Sequence, residues 1–344
     1  MLHLEGNQTK VKPRVLAAAL TALASFAFLT GCQGTAETKE AEKPAAEEQV
    51  VAEFPRTVKV PAGADTEAYE LEIAEQPKRI VALDHESGAV IAALGYAGNL
   101  VMASQALQNP ALSATPDVFT KVETSFPSST ELNAEQVLAA TPDLVVMSSR
   151  HGIADRIKPV LEGAGIKTLL LPSAWTSIDS LKTNIGVIAE AIGADEEVGD
   201  LEKELSDGLA KKDKKAADSA DAKRILVLNN QAGRAFITAG NAVPLELLEL
   251  AGGTSVSSEL GIEITGPISA EQIVAANPDA ILLIDMNGSG KAMFQELLNN
   301  QAVAQLPAVS GDKIKLIEGR YVQALGVTDT ISGLKQLTEW IDSL

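Results

Sequence analysis

Four short stretches gather side chains suited to gripping a ligand: His85 with Glu86, Arg150 with His151, Arg234, and Arg320 with Tyr321. A guanidinium stays charged and forks onto paired oxygens, so three separated arginines suit an oxygen-rich anion. Imidazole and phenolate are donors to transition metals such as iron. Trp175 could floor an aromatic ligand or equally pack in the core. Catalysis fits these residues less well. His85 and Glu86 could act as acid and base and Ser87 as nucleophile, but no Gly-x-Ser-x-Gly elbow precedes a helix and no metal-ligand motif occurs. The residues point to binding and to a chain that is not an enzyme.

Such residues need strands to hold them and loops to present them. Pro77-Lys78-Arg79 leads into Ile80-Val81-Ala82-Leu83, then Asp84-His85-Glu86-Ser87-Gly88, then a helical pattern over 89–94 stopped by Gly95. The unit recurs as a helix over 132–140, a Pro142-Asp143 turn, a strand over 144–147 and a loop over 148–152, followed by a strand over 168–171 and a loop over 172–175. In the second half the pattern predicts a strand over 224–228, a loop over 229–234, helices over 244–250 and 269–276, and strands over 281–284 and 313–317. The candidate residues therefore follow strands. Alternation of this kind implies parallel sheets covered on both faces, so the expected fold is α/β with two doubly wound, Rossmann-like lobes.

An internal repeat supports two lobes. Residues 132–146 and 268–282 align without a gap and share Ala-Glu-Gln, Ala-Ala and Pro-Asp. Between the halves, Ile178, Leu181, Ile185, Ile188, Ala189 and Ile192 keep a helical period up to Gly193, and Val198, Leu201, Leu205 and Leu209 continue it into the charged run 211–215. A long backbone helix joining the lobes is expected. The predicted division is a leader at 1–31, a flexible acidic tether at 32–55, an N-terminal lobe at 56–175, a helical strut at 176–220 and a C-terminal lobe at 221–344.

The leader has its own chemistry. Lys10, Lys12 and Arg14 precede an apolar stretch over 15–28 that is short for a membrane span. Leu29-Thr30-Gly31-Cys32 follows, and it resembles the lipobox of bacterial lipoproteins. That resemblance implies cleavage before Cys32 and acylation of its thiol, with palmitate among the fitting chains, and hence a protein outside the cytoplasm held to a membrane by lipid. Cys32 is the only cysteine, so the mature chain would carry no disulfide. Removing three of the 28 basic residues and Glu5 of the 46 acidic ones leaves 25 against 45. A surface this acidic argues against nucleic acid as partner.

Residues 77–83 with Ala93-Leu94-Gly95, the paired Ala-Glu-Gln and Pro-Asp units and the helical spine together resemble the substrate-binding lipoproteins of bacterial iron-complex and cobalamin ABC importers, the class III periplasmic-binding-protein family. The likeness spans residues 56–344. It implies a ligand held between the C-terminal ends of two sheets, a membrane permease with its ATPase as partners, and no resident cofactor. Within this family, Arg150 and Tyr321 fall at positions resembling the arginine and tyrosine used by siderophore binders. The expected ligand is a ferric siderophore, with the catecholate type best suited to an arginine cluster. Haem is the rival, with His151 or His85 and Tyr321 as axial ligands and arginines on the propionates. Only 12 aromatic residues (seven Phe, three Tyr, two Trp) weigh against it. Cobalamin comes third. The family also implies acids near the start of the first helix of each lobe that dock the permease, for which Glu86, Glu246 and Glu249 are the candidates. The protein is expected to act as a monomer.

Overall fold

The computed structural model describes residues 53–64, 66–209, 222–231, 233–323, 325 and 327–344. Cys32, the leader, most of the tether and the charged run 211–215 lie outside the described residues.

The first strands among the described residues form an antiparallel hairpin, β1 (Arg56–Val60) and β2 (Tyr69–Ile73), which the sequence pattern does not mark. Tyr69 stitches it to the sheet that follows, its hydroxyl donating to the Leu170 carbonyl and accepting from the Leu170 N–H, both at 2.8 Å. The N-terminal lobe then builds β3 (Ile80–Ala82), α1 (His85–Ala93), β4 (Leu100–Ser104), a short α2 (Pro116–Phe119), β5 (Thr124–Phe126), α3 (Ala134–Ala139), β6 (Leu144–Met147), α4 (Ile153–Gly163) and β7 (Lys167–Leu170). Its five strands run parallel in the order β5-β4-β3-β6-β7. That is a doubly wound sheet centred on β3 and β6.

Two helices form the spine, α5 (Ile178–Ile192) and α6 (Asp195–Leu209). They are divided at Gly193, whose φ of 80° caps α5 in the left-handed region. The spine is thus two packed helices where the periodicity read through as one. Helix α5 lies against α1 of the N-terminal lobe, and Glu246 of the C-terminal lobe accepts the Ile178 N–H at its start, 2.6 Å away.

The C-terminal lobe comprises β8 (Lys223–Gln231), β9 (Arg234–Ile237), α7 (Val243–Leu250), β10 (Gly253–Ser255), β11 (Gly266–Pro267), α8 (Ala270–Ala276), β12 (Ala280–Asp285), three short helices α9 (Gln295–Leu298), α10 (Gln301–Ala304) and α11 (Pro307–Ser310), β13 (Ile314–Glu318) and α12 (Val327–Asp342). Strands β10, β8, β12 and β13 are parallel, and β9 folds back antiparallel on the far half of β8. The expected loop over 229–234 is therefore mostly strand. Asn229 to Gln231 extend β8, and Arg234 begins β9. Polar side chains there hid the strand, because Asn229 and Asn230 are buried and hydrogen-bonded rather than apolar. Helix α12 covers this lobe and meets α6 so closely that a side chain at Gly208 would strike Ile331.

Strand alternation sorts the core into layers. Ile80, Ala82, Leu144 and Val146 face the spine in one continuous apolar cluster with Ile225, Val227, Leu282 and Ile284 of the other lobe. Val81, Leu83, Val145 and Met147 face α3 and α4, and Leu226, Leu228, Ile281 and Leu283 face α8 and its neighbours. The internal repeat has a structural role. Asp143 accepts the backbone N–H of Arg79, and Asp279 that of Arg224, while both guanidiniums cap the last carbonyls of α3 and α8. Gln136 and Gln272 close matching capping boxes with Asn133 and Ser269.

Candidate functional site

The loop after β3 organises the N-terminal half of the site. Asp84 sits just past the strand and caps α1, accepting the Ser87 N–H at 2.9 Å and its hydroxyl as well. The same carboxylate reaches the next strand's loop, accepting the Ser148 N–H at 2.9 Å, and takes the Trp175 indole N–H at 3.1 Å. Burial and the neighbouring Glu86 carboxylate push the Asp84 carboxyl up, against the pull of Ser87 and Arg150. Three loops are thereby pinned to one side chain. Sequence reasoning gave Asp84 no role, although its place before a helix and three residues ahead of a serine is a capping signal.

Around this hub lies a cavity of about 150 Å³, at the C-terminal ends of β3, β4, β5 and β6. Asp84, His85, Ser104, Ser148, Arg150 and His151 line it, with hydroxyls from residues 128–130 on one wall. The Ser148 hydroxyl is buried and has no partner. His151 and Gly152 both adopt left-handed backbone, φ 60° and 63°, which turns the chain sharply into α4 and leaves the imidazole exposed at the rim. Partial burial and the adjacent Arg150 cation push the His151 imidazole below its ordinary value, which favours its neutral form.

Arg150 does not stand free. Its Nη1 meets Glu86 Oε1 at 2.8 Å and its Nη2 donates to the Ala174 carbonyl at 2.8 Å, while the side chain remains 32% exposed. The Glu86 charge outweighs desolvation and pushes the guanidinium up. Glu86 itself is 4% exposed. This corrects its assignment to a docking surface, since a carboxylate turned inward onto Arg150 is not presented to a permease. Glu246 is likewise committed, to the N-terminus of α5. Glu249 is exposed on α7. Trp175 takes the core-packed one of its two expected places. It is 3% exposed, packed in the core with its N–H on Asp84, so it buttresses the site and presents no open face to a ligand.

The C-terminal half begins where β13 ends. Arg320 donates from Nε to Glu318 Oε2 at 2.8 Å and from Nη2 to the Tyr321 hydroxyl at 2.7 Å, with the guanidinium 4.4 Å from the centre of that ring and Asp329 3.8 Å from Nη1. A side chain at Gly333 of α12 would overlap the Tyr321 carbonyl, so this glycine lets the turn seat against the helix. Asp285, at the end of β12, is 4% exposed and gathers the N–H groups of Asn287, Gly288, Ser289 and Gly290 together with the Asn230 amide. Burial opposes its ionisation, but the Asn230 amide and these backbone donors hold its carboxyl below the ordinary value. Arg234 is exposed at the start of β9, its guanidinium 5.2 Å from the Phe236 ring centre.

The two halves face one another. The Arg320 N–H donates to the Ala111 carbonyl at 2.9 Å, and Gly288 lies against Asn109, so the segment following β4 touches the loops following β12 and β13. The C-terminal ends of both sheets thus meet, as open α/β sheets place their ligand crevices. Among the described residues, no three His, Cys, Asp or Glu side chains cluster as a metal site, and no helix is long and apolar enough to cross a membrane.

A family model described as periplasmic binding protein matches residues 80–321, from the start of β3 through Tyr321. The chain belongs to the periplasmic binding protein family. Its members are extracytoplasmic substrate-binding components of ABC importers, not enzymes, and carry cargo rather than a cofactor. Several solved structures share the binding-protein fold. The periplasmic haem-binding protein RhuT from Roseiflexus sp. RS-1, in its apo form, is 23% identical, with 77% of this chain and 98% of its own covered and a TM-score of 0.62. A periplasmic binding protein from Veillonella parvula is 18% identical over 84% and 99%, with a TM-score of 0.64. The periplasmic haem-binding protein HutB of Vibrio cholerae is 20% identical over 76% and 97%, with a TM-score of 0.59. At these identities the likeness is one of fold. Comparison with curated proteins gives no match.

Proposed function

We propose that this binding protein is the lipid-anchored receptor of an ABC importer and that its cargo is haem. The observation that supports haem is the pair of imidazoles, His85 and His151, lining one cavity beside Arg150. A cavity of this size takes only the edge of such a ligand, since enclosing pockets run to about 300–1,000 Å³; the remainder would lie between the lobes. In this reading His151 supplies a neutral imidazole to the iron, Tyr321 a phenol oxygen from the other lobe, and Arg150, Arg234 and Arg320 meet the acidic arms. RhuT and HutB, which share the fold, are haem-binding proteins. The exposed Arg234 favours a second reading, a ferric catecholate siderophore. Acylated Cys32 would hold the receptor at the membrane.

Titration with haemin tests the cargo. A saturable Soret shift at one haem per chain is expected in the wild type, weakened at least tenfold in His151→Ala. No spectral shift with haemin, alongside saturable quenching by a ferric catecholate, would replace haem with the siderophore. The pH dependence carries a definite sign. Burial and Arg150 hold the His151 imidazole below its ordinary value, so proton competition at that ligand sets in at lower pH than for a free histidine. Acidification below neutrality should therefore weaken haem binding through His151 in the wild type, a component of the fall that His151→Ala lacks, as read by absorbance titrations of both.

Docking is assigned to Glu249, the exposed member of the acidic trio. Glu249→Lys is expected to abolish uptake by cells while leaving haem affinity unchanged. Loss of affinity would instead refute the assignment.

A further inference from the structure

We propose that Glu86 and Glu318 set the charge of cargo the cleft accepts, favouring chelates of near-zero net charge and rejecting polyanionic ferric complexes. Three arginines would ordinarily make a strongly cationic site. Two of them are instead matched by carboxylates at 2.8 Å, Arg150 by Glu86 and Arg320 by Glu318, with Asp329 a further 3.8 Å from Arg320 and Asp84 beside Glu86. Each guanidinium still offers directed hydrogen bonds, yet neither lobe gains net positive charge at that point. A trianion there would meet a carboxylate beside two of the three guanidiniums, so much of the attraction that an arginine cluster normally supplies is offset.

The cost of Glu86 argues that its charge has a use. It is 4% exposed, and its Oε2 is buried with no hydrogen-bond partner. Burying a carboxylate so poorly satisfied is expensive, and an apolar pair of similar volume would serve stability as well or better. Matching pairs on both lobes cancel charge at these two points of the crevice and leave the exposed Arg234 as the remaining cation of the three. The inference rests on the cargo reading above only in placing an iron chelate in this cleft.

Wild type, Glu86→Gln and Glu318→Gln are to be titrated with haemin, a neutral ferric trihydroxamate and a trianionic ferric tris-catecholate at low and high salt. Each variant should tighten binding of the trianion by about tenfold relative to the neutral chelate at low salt, and the gain should shrink as salt screens it. Glu318 is 45% exposed at its side chain, so its glutamine variant decides the matter even where Glu86→Gln fails to fold. Equal shifts for trianion and neutral chelate, or a wild type that prefers the trianion, would overturn the charge filter. Wild type that binds none of the three would sink the cargo reading instead.

Discussion

Asp84→Ala is expected to destabilise the protein by about 3–5 kcal/mol, the largest loss of any single substitution in the site. The change removes the cap of α1, worth about 1 kcal/mol. It also strands the Ser148 N–H and the Trp175 indole N–H, which the carboxylate satisfies at 2.9 and 3.1 Å, and an orphaned buried donor costs about 1–3 kcal/mol. Shared partners make these losses less than additive. Asp84→Asn should lose less, because its amide oxygen can still accept part of the set. Urea unfolding followed by tryptophan fluorescence measures both variants, and a loss under about 1 kcal/mol for alanine would show that the three loops are held by something else.

Arg150→Ala should cost about 2–4 kcal/mol and remove most cargo affinity. Breaking a buried ion pair from one side leaves the other charge uncompensated, at about 3–5 kcal/mol. Here the guanidinium is 32% exposed, so solvent reduces the figure. The double variant Glu86→Leu with Arg150→Leu separates the two effects. Stability should return to near the wild-type value because no lone carboxylate remains, while binding stays weak because the directed donors are gone. A double variant as unstable as Arg150→Ala would mean that packing, not charge, dominates the pair.

Much of the fold was readable because its strands are simple. The runs at β3, β6 and β12 are buried on both faces, and such strands read as continuous apolar stretches. The paired Ala-Glu-Gln and Pro-Asp units announce two lobes, and they do so because Asp143 and Asp279 clamp the entry of the first strand of each lobe's parallel sheet. Other elements were hidden by their chemistry. Strand β8 ends in Asn229 and Asn230, whose side chains bond inside the fold to Thr238 and Asp285 and imitate a loop. The Gly193 break was masked because the apolar period resumes in α6.

The site was less legible than the fold. Candidate residues after strands do gather at the facing sheet ends, but their partners depend on contacts distant in sequence. Nothing near Glu86 marks it as the counter-ion of Arg150, 64 positions away, and an acid on a first helical turn reads as a surface group. Trp175 reads equally as a ligand floor or a core residue, and the bond that decides for the core, from its indole to Asp84, spans 91 positions. Asp285 carried no pattern beyond its position at a strand end. Its role arises from a loop wrapped around it, which a linear motif does not encode.

In the proposed complex, cargo iron sits between the lobes, bounded by the His85 and His151 loops and the Arg320-Tyr321 turn. Anomalous scattering at the iron edge from crystals grown with haemin tests it most directly, and the same crystals grown with a ferric siderophore test it whichever cargo is right. One strong iron peak is expected between these segments for the chelate that binds. A peak on an outer face, away from Arg150 and Tyr321, would contradict it.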